Sequence, residues 1–142
     1  MKTSREVDQT LEEAGQISLK FGHHYISTEH FLLATLLNKD MAKTLIKYGV
    51  QLDIMLADIE QYISETYASG ATGNANIKTQ SLERVFNRAL TSVLFSGRDY
   101  VTLLDIFTSL LSENNTHSSY FLMKYGVNRD EFVKFVQNDI RK

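Results

Sequence analysis

Three residues near position 28 are of the types that hydrolytic enzymes use. Ser27 supplies a hydroxyl, Glu29 a carboxylate and His30 an imidazole, all within one short stretch. A catalytic serine usually stands in a G-x-S-x-G turn and faces an oxyanion hole, and the sequence shows neither around Ser27. We therefore expect that this stretch is not catalytic and that the chain is not an enzyme.

The same stretch carries three histidines, His23, His24 and His30, which together with Glu29 suggest a zinc site. Zinc ligands usually follow characteristic spacings such as H-E-x-x-H, or come in two dense clusters. The spacing here matches no such motif. The histidines are better interpreted as polar contacts between helices or as exposed side chains. We predict no cofactor, and the sequence leaves open whether any of the three histidines binds a metal.

The group Thr28-Glu29-His30 also has a structural interpretation, as the start of a helix. Ser27 or Thr28 can cap the first turn, and an acidic side chain such as Glu29 interacts favourably with the helix dipole there. Because the first turn of a helix is usually accessible, we expect Glu29 to be available to a partner as well.

The helices that position these residues belong to a duplicated chain. Lys47-Tyr48-Gly49-Val50 returns as Lys124-Tyr125-Gly126-Val127, at an offset of 77 residues. Earlier in each copy, similar residues recur at an offset of 75, as from Ile26 to Val101. An internal repeat of this kind indicates one structural unit written twice. We expect the copies to pack against each other about a pseudo-twofold axis, because both carry apolar faces that need covering.

Hydrophobic periodicity predicts eight helices, four in each copy, and therefore an all-α fold. The predicted helices cover residues 4–21, 28–37, 40–48, 52–67, 80–96, 102–112, 117–125 and 129–140. We assign residues 1–67 to the first repeat and 79–142 to the second. Residues 68–78 form the linker between them, and the small, polar and uncharged part from Ala68 to Asn76 is predicted to be mobile.

Residues at the predicted helix ends support these boundaries. Capping boxes, in which two side chains bond backbone N–H groups reciprocally, can form at three helix starts: Thr3 with Glu6, Thr102 with Asp105, and Asn128 with Glu131. Helix ends often need a residue with positive φ, and glycines stand at four of the predicted ends: Gly22, Gly49, Gly97 and Gly126.

The composition narrows the classes of partner. The 142 residues carry a formal net charge of −2, which provides no electrostatic footprint for nucleic acid or an anionic membrane. No apolar run approaches the roughly 20 residues that span a bilayer, and the N-terminal residues lack the apolar core of a signal peptide. Cysteine is absent, as suits a cytoplasmic protein. We expect a cytoplasmic protein that binds neither nucleic acid nor membrane.

The segment from Phe21 to Ala34, FGHHYISTEHFLLA, resembles the repeated GH-x-x-(I/V)-x-T-E-H-(I/L)-L-L signature of Clp N-terminal domains. The second copy adds LERVFNRA at residues 82–89 and SGRDYVT at residues 96–102, which look most like the ClpA branch. The resemblance covers nearly the whole chain. It implies a pseudo-twofold bundle of two four-helix repeats, carried by a flexible linker ahead of hexameric AAA+ unfoldase modules. The sequence contains no G-x-x-x-x-G-K-[ST] phosphate loop, so the ATPase itself is not in these residues.

Members of this family receive adaptors or substrates and hydrolyse nothing themselves. In ClpA-type domains the surface that docks the ClpS adaptor includes three polar positions, which fall here on Glu29, Thr79 and Arg84. The resemblance therefore implies adaptor docking through charge-assisted hydrogen bonds, and through the adaptor a supply of protein substrates for degradation. Two other functions stay open: direct capture of unfolded polypeptide in an apolar groove between the repeats, and a stand-alone regulator that binds a Clp partner.

The ClpC branch of the family differs, because both of its repeats carry the Thr-Glu-His start and each Glu helps to bind phosphorylated arginine. Here the second repeat has Leu103-Leu104-Asp105 at the matching place, and Leu104 cannot accept a hydrogen bond. We therefore expect no paired phosphoarginine sites, and at most one weak site near Glu29. Exposed adjacent leucines would instead form an apolar patch suited to a partner, although a rotation of the helix could equally bury one of them.

Overall fold

The computed structural model describes residues 2–66 and 77–141, and these residues form eight helices and two very short strands. The helices are α1 (Arg5–Lys20), α2 (Thr28–Leu37), α3 (Lys39–Tyr48), α4 (Leu52–Thr66), α5 (Gln80–Phe95), α6 (Leu103–Leu111), α7 (His117–Lys124) and α8 (Arg129–Arg141). The strands are β1 (Lys2–Thr3) and β2 (Tyr100–Val101). The predicted all-α fold is confirmed, and each predicted helix is present with its ends close to their predicted positions. No helix in the described ranges combines the length and the apolar character needed to cross a membrane.

Short backbone pairings join the first repeat, α1–α4, to the second, α5–α8. β1 pairs in parallel with β2, with Thr3 opposite Val101. The same pairing, displaced by 75 residues from position 3 to position 78, sets Lys78 opposite Ile26 in an isolated parallel bridge. Each repeat therefore lends the segment that precedes its first helix to the other repeat. This reciprocal exchange is what a twofold relationship requires, and the predicted pseudo-twofold bundle is confirmed.

The predicted linker, residues 68–78, lies outside the described residues as far as Asn76. Its last two residues are described, and they contact the first repeat through the backbone. The N–H of Ile26 donates to the carbonyl of Ile77 at 2.9 Å, and the bridge to Lys78 follows directly. The chain is therefore already fixed against the first repeat two residues before α5 begins.

Of the three predicted capping boxes, one is present in full, one shows the bond from the N–H of Glu131 to Oδ1 of Asn128 at 3.1 Å, and one is wrong. Thr102 and Asp105 form a full capping box at α6, as predicted. At α1 the predicted box of Thr3 with Glu6 is wrong, because the cap is Ser4, whose Oγ accepts the N–H of Val7 at 3.3 Å. The physical reason is that Ser4 is itself extended, with φ −66° and ψ 160°, and donates its N–H to the carbonyl of Val101 at 2.9 Å, so the helix starts one residue later.

The helix α2 is the centre of the core. All its residues from Thr28 to Leu36 are buried, whereas an ordinary surface helix buries one face only. The ring of Phe31 meets the ring of Phe86 on α5 edge to face, with 5.3 Å between centroids, so both repeats contribute to this core. Each such buried apolar side chain stabilises the fold by roughly 1.5–3 kcal/mol.

The repeats differ most in the connection between their second and third helices, which follows α2 in the first repeat and α6 in the second. In the first repeat Asn38 alone separates α2 from α3, and it caps both helix ends. In the second repeat residues 112–116 separate α6 from α7. The longer connection belongs to a helix, α7, that packs against α2 of the first repeat. As a result α7 covers part of α2, and the residues at the start of α2 are buried.

Candidate functional site

The hydrolase-like residues at the start of α2 form a second capping box. The backbone N–H of Ser27 donates to Nδ1 of His30 at 2.9 Å, and the N–H of His30 donates to Oγ of Ser27 at 3.2 Å. Both residues are buried. The serine and the histidine therefore hold the helix start in the protein interior, as the structural interpretation predicts.

The capping box also fixes how His30 meets His23. Because Nδ1 of His30 accepts the N–H of Ser27, its hydrogen is on Nε2, which donates to Nδ1 of His23 at 2.7 Å. Burial lowers the pKa of both imidazoles, and with His23 nearby it brings the pKa of His30 down to about 4. Two neutral, hydrogen-bonded histidines result. Within residues 2–66 and 77–141 no group of three or more His, Cys, Asp or Glu residues could hold a metal ion.

Glu29 is not the accessible side chain that the sequence led us to expect. It is only 5% exposed, because α7 lies over the start of α2. Its Oε2 accepts a hydrogen bond from Oγ of Ser118 on α7 at 3.1 Å and another from the hydroxyl of Thr28. Glu29 therefore joins the two repeats from inside, and the prediction that it is directly available to a partner is wrong.

Thr79 lies where the second repeat begins. Its Oγ1 accepts the N–H of Leu82 at 3.3 Å and so caps α5. Its own N–H donates to the carbonyl of Ile26 at 2.9 Å, which anchors the cap to the first repeat. Thr79 is half-buried, and it sets the position of the first turns of α5.

Arg84 stands on the exposed side of α5, one turn after this cap, with 54% of its side chain exposed. Its Nε donates to Oε1 of Glu113 at 2.9 Å, and its Nη2 donates to the same oxygen. A second arginine, Arg88, donates from Nη2 to the other oxygen of Glu113 at 3.0 Å and from Nη1 to the carbonyl of Ser109 at 2.9 Å. One carboxylate therefore holds two guanidinium groups side by side.

The carboxylate of Glu113 is almost completely buried beneath these two arginines, with 2% of its side chain exposed. Burial alone would raise the pKa of Glu113, but the hydrogen bonds from Arg84 and Arg88 outweigh it, and the pKa is lowered. Sequence reasoning missed Arg88 and Glu113. The spacing of the arginines, four residues apart on one helix, was a usable signal for Arg88. No local sequence pattern connects Arg84 or Arg88 with Glu113, which lies 29 residues after Arg84.

The three predicted site residues do not meet, but a single segment supports two of them. Residues 113–119 run from the end of α6 into α7. Ser118 in this segment donates to Glu29, and its neighbour Ser119 donates from Oγ to the carbonyl of Glu113 at 2.6 Å. The carboxylate of Glu113 then binds Arg84. Glu29 lies beneath the segment and Arg84 lies at its surface, so the two are linked through the fold and not by contact.

The equivalent place on the second repeat is built differently. Leu103 is fully buried and Leu104 partly buried, so the helix rotation buries one leucine and no patch of two exposed leucines forms. Asp105 closes the capping box and accepts hydrogen bonds from Arg98 at 3.0 and 2.6 Å. Burial tends to raise the pKa of Asp105, but the bonds from Arg98 and Thr102 lower it on balance.

Comparisons with known proteins agree with this architecture. The sequence matches the family model described as the Clp repeat (R) N-terminal domain over residues 2–125. It is 26% identical over 140 residues to a ClpA homolog protein from Fuscovulum blasticum, and the match covers 94% of this chain. The chain spans only 18% of the length of that relative.

Two solved structures share the fold. The N-terminal domain of the caseinolytic protease associated chaperone ClpD from Arabidopsis thaliana has a TM-score of 0.75 at 14% identity, covering 99% of this chain and 96% of that one. The N-domain of ClpV, solved in complex with a VipB peptide, has a TM-score of 0.69 at 20% identity, covering 91% of this chain and 81% of that one. The duplicated helices, the exchanged segments and the family match lead to one conclusion: this chain belongs to the Clp repeat N-terminal domain family.

Proposed function

We propose that this domain docks a ClpS-type adaptor for an ATP-dependent Clp unfoldase, and that the adaptor brings proteins to be unfolded and degraded. The observation that carries the proposal is the pair of guanidinium groups of Arg84 and Arg88, held on the outer side of α5 by the buried Glu113. The unfoldase modules and the cytoplasmic setting are part of the proposal.

A fixed guanidinium is well suited to docking. A free arginine loses side-chain freedom when a partner binds it, and this loss opposes binding. Here Glu113 has already oriented Arg84, so less freedom remains to be lost. Arg84 uses Nε and Nη2 for its bonds within the described part of the chain, which leaves the hydrogens of Nη1 to face an adaptor. A guanidinium is also the group that pairs best with carboxylates and carbonyls in a fixed geometry.

The other two residues take supporting roles in this proposal. Thr79 keeps its place at the edge of the surface, where it starts α5 and presents a half-buried side chain next to the arginine turn. Glu29 acts from below, because it holds α7 through Ser118 and so steadies the segment that carries Glu113. Arg84 is the residue that we expect to touch the adaptor.

Two relatives make this kind of function plausible for the fold. One is a ClpA homolog, and the other, the N-domain of ClpV, binds a VipB peptide. Neither identifies the adaptor of this chain. The support from the present structure is the position of the two arginines on α5 close to the cap at Thr79.

Titration calorimetry with a purified ClpS-type adaptor tests the proposal. We expect Arg84→Glu to weaken binding by roughly 10- to 100-fold, because a lost hydrogen bond to a charged group costs about 1.5–3 kcal/mol. Arg129→Gln is the control, because Arg129 is similarly exposed, at 52%, but stands on α8. Absence of binding by the unmodified domain, or equal affinity in a folded Arg84→Glu variant, would refute adaptor docking at this surface.

A further inference from the structure

A second candidate surface lies in a groove of about 630 Å³ between α4 of the first repeat and α7 of the second. Its aromatic lining comes from both helices. Tyr62 on α4 stacks on His117 of α7 with 4.2 Å between ring centroids and 22° between planes. Tyr62 also meets Phe121 edge to face at 5.6 Å, and Tyr120 adds a further ring that is 48% exposed. The groove therefore presents the ring of Tyr120 to solvent.

One wall of the groove, the helix α4, is acidic. The helix α4 carries four acidic residues and no lysine or arginine over Leu52–Thr66, and two of the acidic residues, Asp58 and Glu65, line the groove. Glu65 stands in the last turn, where the carbonyl end of the helix dipole adds further negative potential. A negative wall beside aromatic faces is the arrangement that attracts a cation.

The chain already places one of its own cations at this groove. Nζ of Lys124 lies 2.5 Å from Oδ2 of Asp58, and 5.9 and 5.5 Å from the ring centroids of Tyr120 and Tyr125. The hydrogen bond to Asp58 raises the pKa of Lys124 and keeps its ammonium charged. Lys124 occupies the Asp58 end of the groove, and Glu65 at the other end is bonded only to Gln61, at 3.1 Å, in the described part of the chain.

We propose that the Glu65 end of this groove binds the side chain of an arginine in an extended peptide segment. The guanidinium would pair with the carboxylate of Glu65 while its flat face lies against the exposed ring of Tyr120. Arginine fits better than lysine, because its planar group can stack and form two parallel hydrogen bonds at once. The groove volume lies within the range of about 300–1,000 Å³ that small-ligand sites occupy.

This inference goes beyond adaptor docking and uses different residues. One function that the sequence left open is the capture of unfolded polypeptide in an apolar groove between the repeats. The groove found between α4 and α7 is aromatic and acidic instead, which selects for positively charged segments and against purely apolar ones. Because Arg84 takes no part in it, the two proposals can fail separately.

The direct test is an NMR titration of the 15N-labelled chain with acetyl-Gly-Arg-Gly-amide. Its citrulline counterpart serves as the matched probe, since citrulline keeps the shape of arginine without the charge. We expect the arginine peptide to shift the amide signals of Glu65, His117 and Tyr120, and to bind at least about 5-fold more tightly than the citrulline peptide. Added salt should weaken the arginine peptide alone, because salt screens exposed charges.

Variants of α4 locate the effect. Glu65→Gln should reduce the affinity for the arginine peptide by at least about 3-fold, whereas Glu60→Gln, the same change on the same helix outside the groove, should leave it unchanged. Tyr120→Leu should weaken the arginine peptide more than the citrulline peptide. Equal affinities for the two peptides, shifts centred away from α4 and α7, or an unaffected Glu65→Gln variant would each overturn the proposal.

Discussion

Ser118 donates a hydrogen bond to the carboxylate of Glu29, with 3.1 Å between Oγ and Oε2, although the two residues are 89 positions apart and belong to different repeats. Both are buried. Glu29, which belongs to the Thr28-Glu29-His30 part of the signature, therefore lies at the joint between the repeats.

We predict that Glu29→Ala destabilises the fold. The change leaves the hydroxyls of Ser118 and Thr28 without their acceptor in a buried place, which costs about 1–3 kcal/mol. Urea unfolding followed by far-UV circular dichroism should show this loss. Glu12→Ala, an exposed glutamate on α1, should show almost none. Equal unfolding free energies for the Glu29→Ala variant and the unmodified chain would contradict the structural role.

We predict that Glu113→Gln weakens adaptor binding, although Glu113 is buried beneath the two arginines and is not expected to contact the adaptor itself. Without the carboxylate, Arg84 and Arg88 lose their shared anchor and become mobile. Calorimetry in two backgrounds separates this role from simple destabilisation. If Glu113 acts through Arg84, Glu113→Gln should change the affinity little once Arg84→Ala is present. A full additional loss in that background would show that Glu113 works by another route.

The unfolding free energy should fall as the pH drops below 6.5, partly because of the buried histidines. The pKa of His30 is lowered to about 4 in the folded state, so the unfolded state binds an extra proton between pH 6.5 and about 4. The stability due to this group is therefore present above pH 6.5 and decreases at lower pH, by at most about 1.4 kcal/mol per pH unit.

His30→Gln isolates this contribution. Glutamine can still reach back to the N–H of Ser27 and complete the capping box, but it does not titrate. Urea unfolding between pH 7 and about pH 5 should show a flatter pH dependence for His30→Gln than for the unmodified chain. Parallel pH profiles would mean that the pKa of His30 is the same in the folded and unfolded states, and would contradict the prediction.

Phosphoarginine should not bind at two equivalent places. At the start of α6 Leu104 offers no acceptor, and Asp105 is already engaged by Arg98 and by the cap. At the start of α2 the carboxylate of Glu29 is buried. Calorimetric titration with phosphoarginine should give at most one weak site. Two molecules of equal affinity, one beside Leu104, would show that the divergence of the repeats has been misinterpreted.

The helices could be predicted from the sequence almost to the residue, because local signals determine their ends. Ser27 and Thr102 cap their helices through contacts that span three residues, and Gly22 and Gly97 end theirs with a positive φ. The duplication helped as well, because each helix predicted in one copy has a counterpart predicted at the matching position of the other. Thr3 is the exception, because a strand pairing with residue 101 moves the cap, and no local rule contains that information.

The environment of the site residues could not be predicted in the same way. The burial of Glu29 depends on where α7 packs, and the anchoring of Arg84 depends on a carboxylate 29 residues later. The groove at Tyr62 takes its lining from both repeats. Such contacts join segments that are distant in the chain, and residue periodicity carries no signal for them. The sequence identified Glu29 and Arg84 as candidate site residues, but only the structure shows that the first is buried and the second exposed.

The exchange of segments between the repeats also determines how the chain unfolds. Ile26 of the first repeat has its backbone N–H and carbonyl bonded to residues 77 and 79, and the start of α1 depends in the same way on Val101. Neither half can keep these bonds once the other has unfolded, so neither half is a separate unit of stability. The chain should therefore lose both repeats in a single cooperative transition, and a fragment that stops after α4 should not be stably folded on its own.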